Sequence, residues 1–170
     1  MKKNNKTTLI IIRGNAASGK SSLATALQKE LGEKTLLLSQ DYLRRNMLAA
    51  NDGFDTPTIP LLISLLEYGS KNCDHIILEG ILKKDWYQPL WDYLEQKEGL
   101  QIQAYYYDLP FEVTLERHTG RPKANDFGVE ALQRWWNEKD YLNLFNEKYF
   151  TADIPIKQAL DIILKNIYQQ

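Results

Sequence analysis

Eight consecutive residues, Gly14-Asn15-Ala16-Ala17-Ser18-Gly19-Lys20-Ser21, satisfy the pattern G-x-x-x-x-G-K-[ST] at every fixed position. The chemistry of such a stretch is phosphate binding. Glycines let the backbone turn so that successive N–H groups converge on a phosphate, and the N-terminus of a following helix adds partial positive charge. Lys20 would bridge β- and γ-oxygens of a nucleotide and the Ser21 hydroxyl would ligate Mg²⁺, with Ser22 next in line at the helix start. The bland alternative is a glycine-rich turn, for which average residue usage puts a chance match in a chain this long at about 1%. The context favours the phosphate loop, because the apolar run Leu9–Ile12 precedes it and the helical pattern Ser21–Leu31 follows.

A phosphate loop does not say what happens to the phosphate, so further residues must. Asp41, in Ser39-Gln40-Asp41-Tyr42-Leu43-Arg44-Arg45, falls at the end of the second expected strand, beside the loop. An acid there can accept the proton of an acceptor hydroxyl, although an aspartate also commonly caps a helix such as Tyr42–Ala50. Arg44 or Arg45, one turn on, would face an anionic acceptor or else be a solvated charge. Arg117 and Arg121 are four apart where a helix enters a polar stretch, which would bring two guanidinium groups over ATP as a lid, or leave two surface arginines. Glu79 ends a buried strand, where an acid can hold a Mg²⁺-bound water or an acceptor hydroxyl. No Asn-Lys-x-Asp guanine-reading sequence is present. Lys20, Asp41 and Arg121 are the catalytic candidates. Arg117 joins Gly14–Ser22 on the nucleotide, and Asp41, Arg44, Arg45 and Glu79 face the acceptor.

The elements that must position these residues alternate along the chain. Strands are expected at Thr7–Ile12, Thr35–Leu38, His75–Leu78, Leu100–Tyr107 and Glu147–Phe150. Helices are expected at Ser21–Leu31, with Gly32 as its stop, then Asp41–Ala50, Pro57–Tyr68 and Asp85–Gln96. A further helix runs from an Asp108 cap and Pro110 to His118, Thr119–Gly128 is a polar loop, and Val129–Leu144 and Ile156–Tyr168 are helical. Alternation implies a three-layer α/β/α fold of the P-loop NTPase type, with a mainly parallel, roughly five-stranded sheet and a lid at about 117–128.

The 170 residues suit a single domain, and 21 basic against 22 acidic residues give 21 − 22 = −1, so no extensive nucleic-acid footprint is expected. One cysteine, Cys73, excludes an intrachain disulfide and points to a reducing, cytoplasmic setting. The basic start Met1–Lys6 leads to an apolar run too short for a signal sequence, and nothing is long enough to span a membrane. Trp135, Trp136 and Tyr105–Tyr107 read mainly as packing, Cys73 as a buried apolar residue, and His75 and His118 lack partners at metal-ligand spacing.

At these residues the chain resembles the small P-loop kinases that include phage polynucleotide kinase, zeta toxins, chloramphenicol phosphotransferase and gluconate kinase. In polynucleotide kinase an Asp after the second strand is the general base and an Arg three positions later binds substrate phosphate, a spacing that Asp41 and Arg44 match. Arg117 and Arg121 match that enzyme's lid pair, and that of adenylate kinase. Glu79-Gly80 looks like the acid and glycine after the third strand of zeta toxins, standing where the usual second ATPase motif has Asp. Ser39–Met47, Ile77–Leu82 and Tyr106–Pro122 resemble bacterial proteins identified as predicted kinases or AAA-family ATPases. The resemblance implies a Mg-ATP-dependent kinase acting on a hydroxyl of a small acceptor such as a nucleoside, nucleotide, sugar or antibiotic, as a monomer or homodimer. Two alternatives stand beside it: a polynucleotide 5′-hydroxyl kinase, and a regulatory or toxin-like module that hydrolyses ATP slowly.

Overall fold

Short apolar runs bounded by glycine or polar residues become the strands of a single sheet. A computed structural model describes residues 6–169, so all of the basic start Met1–Lys6 except Lys6 lies outside the described residues. β1 (Thr7–Gly14), β2 (Thr35–Ser39), β3 (His75–Gly80), β4 (Leu100–Tyr107) and β5 (Lys148–Phe150) lie in the order β2-β3-β1-β4-β5, with every pairing parallel. Parallel strands need crossovers, and helices supply them: α1 (Lys20–Leu31) from β1 to β2, α2 (Gln40–Tyr42) and α3 (Thr58–Asn72) from β2 to β3, α4 (Gln88–Gln96) from β3 to β4, and α5 (Phe111–Thr119) and α6 (Val129–Trp135) from β4 to β5, while α7 (Ile156–Tyr168) follows β5.

The two-residue period of the strands sorts the core into two layers. Leu9 and Ile11 of β1 join Ile76 and Leu78 of β3 in one apolar cluster, under Leu62 and Leu66 of α3 and Leu90, Trp91 and Leu94 of α4. Ile10, Ile12 and Ile77 point the other way, onto Leu23 and Leu27 of α1 and Ala159 and Ile163 of α7. Each such aliphatic side chain contributes roughly 1.5–3 kcal/mol by leaving water. β1, buried along its whole length, lies at the centre, and the chain leaves it toward β2 on one side while β4 and β5 extend the other. The crevice at the carboxyl ends of the central strands is where such sheets bind ligands.

Several element boundaries differ from the sequence expectation. The helix expected over Val129–Leu144 stops at Trp135, and Lys139, Asn143, Phe145 and Asn146 adopt positive φ. That segment is drawn off the helical path by long-range partners of Asn137, Asp140 and Glu147. The helix expected over Asp41–Ala50 begins one residue earlier as α2, widens into a π-helical turn at Leu43–Met47 and stops there. α4 starts at Gln88, leaving Trp86 in a turn, and α3 runs four residues past Tyr68. Asp108 does not cap α5. Its Oδ2 accepts the Tyr141 hydroxyl at 2.7 Å, and Pro110 stands at the cap position with no side-chain bond. Cys73 is half-buried rather than enclosed. No helix among the described residues is long and apolar enough to cross a membrane.

Candidate active site

The phosphate loop leaves the carboxyl end of β1 and enters α1, so the central strand aims it into the crevice. Gly14 has φ +155°, and a Cβ there would stand 2.9 Å from Ser18 Oγ and 3.0 Å from Tyr107 Cβ, which only glycine avoids. Gly19, at φ +102°, closes the loop at the start of α1. Ala17 takes a left-handed conformation at φ 60° without being glycine, a strain of roughly 1–2 kcal/mol. Lys20 is buried and its Nζ donates to Asn15 O at 3.0 Å, so the lysine spans the loop it would serve. Ser18 Oγ and Tyr107 Oη are buried hydroxyls with no hydrogen-bond partner among the described residues. Burial pushes the Tyr107 phenol up to about 12 against the charge of Arg117.

Glu79, buried at the end of β3, joins the loop to the next strand. Its Oε2 accepts the Ser21 hydroxyl at 3.2 Å and its Oε1 accepts the Ser39 hydroxyl at 2.5 Å. Parallel register explains the meeting, because Glu79 lies level with Ile12 of β1 and Ser39 of β2. Among the described residues no three His, Cys, Asp or Glu side chains group as a metal cage. The hard oxygens of Ser21 and Glu79 instead fit a Mg²⁺ that keeps its phosphates and several waters.

Ser39 leads directly to the residues expected to face an acceptor. Asp41 caps no helix: it lies inside α2, whose cap position is Ser39. Arg44 Nη2 at 2.9 Å and Arg45 Nε at 2.7 Å both donate to its Oδ1. Burial pushes the Asp41 carboxyl up, but the Arg45 and Arg44 guanidinium groups together outweigh it and hold the carboxyl below the usual range. The two arginines differ in setting. Arg44 is 13% exposed and tied through Nη1 to Ala50 O, whereas Arg45 is 51% exposed and lies over the Trp135 ring at 5.9 Å. Behind them is a network that sequence reasoning missed. Gln40 donates to Tyr87 Oη at 2.7 Å and to Asp52 at 3.2 Å, and Tyr87 donates to Asp52 at 2.8 Å. It anchors α2 to two loops far away in sequence, which no local pattern announces.

The two arginines of the expected lid have different surroundings. Arg117 Nη1 donates to Ser18 O of the phosphate loop. Arg121 shares with Arg117, Gly19, Ser22 and Ile156 a cavity of about 380 Å³, and burial, then the Arg117 charge, lowers its pKa. Ile156, read from sequence only as the start of the last helix, gives that cavity an apolar wall. His118 holds the segment that follows α5, its Nε2 lying 2.7 Å from Phe127 O and its ring stacked on Phe127 at 4.6 Å. Trp135 meets Phe127 at 5.1 Å, and Trp136 packs on Phe111 at 5.3 Å. Two further features went unread: the bonds from the Asn15 amide, a residue expected only to line the nucleotide, to the backbone of Asn137, and Arg13, fully buried between Asp140 and Glu147. A variable motif position and a charge at a strand end carry no local sign of such partners.

A family model described as an AAA domain matches residues 9–139. No curated protein matches the sequence. Among solved structures, the tunicamycin resistance protein of Deinococcus radiodurans is similar at 22% identity with a TM-score of 0.67, over 95% of this chain and 96% of that one. The APS kinase of Mycobacterium tuberculosis, in complex with AMPPNP and APS, is similar at 20% identity and a TM-score of 0.71, over 95% and 98%. A gluconokinase from Sinorhizobium meliloti is similar at 16% identity and a TM-score of 0.59, over 98% of each chain. These likenesses establish a common fold.

Proposed function

The chain belongs to the AAA domain family, and within it we propose an ATP-dependent kinase that transfers the γ-phosphoryl group to a hydroxyl of a small acceptor. The observation that carries this reading is the hydrogen-bonded chain Ser21–Glu79–Ser39. It couples the phosphate loop to the end of β2, two residues before Asp41 in α2, so that donor and acceptor machinery share one crevice. The APS kinase and the gluconokinase of this fold are kinases by name, which agrees with the reading.

In this proposal the loop amides and Lys20 hold the β- and γ-phosphates, while Ser21 and Glu79 hold a Mg²⁺ whose charge offsets that of the phosphates. Arg117 and Arg121 neutralise the transferring group and exclude water from it. Asp41 takes the proton of the acceptor hydroxyl. Both arginine bonds fall on Oδ1, which leaves Oδ2 for that task. Arg45, the more exposed of the pair, is the side chain available to an anionic acceptor group. A net charge of −1 disfavours a long polynucleotide as the acceptor.

The test measures ADP release with Mg-ATP across nucleosides, nucleotides, sugars, aminoglycosides and 5′-hydroxyl oligonucleotides. Acceptor-dependent turnover that Asp41→Asn reduces by about 100-fold or more, with ATP affinity retained, is the expected result. Turnover confined to oligonucleotides would make the protein a polynucleotide kinase. Slow hydrolysis indifferent to every acceptor and to Asp41→Asn would replace the kinase with a regulatory ATPase.

A further inference from the structure

The side chain of Asn15, a residue at a variable position of the phosphate loop, reaches out of the loop to the far end of the lid. Its Nδ2 donates to Asn137 O at 2.8 Å, and its Oδ1 accepts Asn137 N at 2.8 Å. A primary amide that engages both backbone groups of one residue fixes orientation as well as distance, because neither bond can rotate without breaking the other. Asn15 is 5% exposed and Asn137 half-buried, so breaking the bonds would leave the Asn15 amide buried and unpaired. The same residue offers its own carbonyl to Lys20 Nζ at 3.0 Å. Asn15 is thus held at its backbone by the lysine that would grip the nucleotide and at its side chain by the lid's exit.

The contacts continue in one direction. Asn137 lies two residues beyond α6, and Trp135, the last residue of that helix, presents its ring to the Arg45 guanidinium at 5.9 Å. Arg45 in turn donates to Asp41 at 2.7 Å. At the other end of the lid, Arg117 donates to Ser18 O. The segment 117–137 therefore begins and ends on the phosphate loop, and its second attachment leads to the acceptor-side carboxylate.

We propose that Asn15 is a positioning residue that couples the phosphate loop to the acceptor side, through Asn137, Trp135 and Arg45 to Asp41. The role of Asp41 in it rests on the kinase reading above; the coupling from Asn15 to α6 rests only on nucleotide binding. Such a link makes the acceptor side competent only when the loop is correctly filled, which limits wasteful transfer to water.

Amide hydrogen exchange with and without Mg²⁺ and a non-hydrolysable ATP analogue tests the coupling without any acceptor. The nucleotide should slow exchange in both Gly14–Ser22 and 129–137 of the native protein. In Asn15→Ala the first protection should remain, reporting a folded, loaded loop, while the second falls about tenfold, a usual size for coupling between sites. Asn15→Thr, uncharged and of similar size but with a single hydroxyl where the amide engages both Asn137 O and Asn137 N, should behave the same way. Protection of 129–137 equal to that of the native protein in both variants would overturn the proposal and leave the kinase intact. No protection of Gly14–Ser22 in the native protein would instead bring down the nucleotide reading itself, and this coupling with it. With an acceptor in hand, Asn15→Ala should lower kcat about tenfold while the KM for ATP moves less than about threefold. Adding it to Trp135→Ala should cost little more. A fully multiplicative loss in the double variant would show independent effects and refute the path.

Discussion

Asp41 receives two guanidinium donors on one oxygen, which makes it a reliably ionised hydrogen-bond acceptor more than a strong base. Phosphoryl transfer tolerates that, because in a loose transition state the acceptor proton leaves late and orientation matters more than basicity. The balance at this carboxyl gives a signed prediction. Burial pushes it up while Arg45 and Arg44 pull it below its ordinary 3.8, so the functional anion persists to lower pH than an isolated carboxylate would. Arg45→Gln removes part of the pull and leaves the push. The acid limb of kcat should therefore move to higher pH, and a carboxyl-carbon NMR titration of Asp41 should move the same way. An unmoved limb would mean that Arg45 does not set this ionisation. The spacing of Asp41 and Arg44 was legible in the sequence, because both lie on one helical turn. That Arg44 would be tied to Ala50 and Arg45 set over Trp135 was not, because the first requires the chain to leave the expected helix after Met47 and the second partner comes from α6.

The same distinction separates the elements. β1 to β4, α1, α3 and α7 were legible, since each buries an apolar face whose period shows in the sequence. The lid's exit was not, since its conformation answers to Arg13 and Asn15 more than to the helical propensity of Val129–Leu144. Within the lid, the two arginines predict different kinetics. Arg117 touches the loop in this structure through Ser18 O, so Arg117→Ala should weaken ATP binding as well as slow transfer. Arg121 is half-buried beside the cavity that Gly19 and Ser22 line, with a like charge for a neighbour, a position suited to meeting negative charge that develops later. Arg121→Ala should lower kcat roughly 10- to 100-fold with a much smaller change in the KM for ATP. Steady-state kinetics in ATP decide between them, and an Arg121→Ala defect confined to KM would reduce the lid to a binding wall.

Across the molecule, Arg13 holds the site's surroundings together. It has no exposed surface, donates to Glu147 at 2.8 Å and Asp140 at 2.7 Å, and also bonds Leu82 O. Its guanidinium lies 5.7 Å from the Trp91 ring and 5.5 Å from the Tyr106 ring. Through it the central strand, the turn after β3 and the return from the lid meet at one charge immediately before Gly14. In the sequence an arginine after Ile12 reads as the end of burial, because a buried charge is prohibitive until its partners are known. The whole-molecule prediction follows from those partners. Arg13→Met keeps the volume but strands the fully buried Glu147 carboxylate, which should cost about 3–5 kcal/mol, against a total stability of roughly 5–15 kcal/mol for a domain of this kind. Glu147 also accepts Leu142 N at 2.7 Å, so its charge is best removed with that acceptor kept. Urea unfolding of Arg13→Met and of Arg13→Met with Glu147→Gln checks the argument. The double variant should regain a substantial part of the loss, because the stranded charge and not the missing arginine contacts dominates it. Equal midpoints for the two variants would place the stabilisation in the Asp140, Leu82, Trp91 and Tyr106 contacts instead.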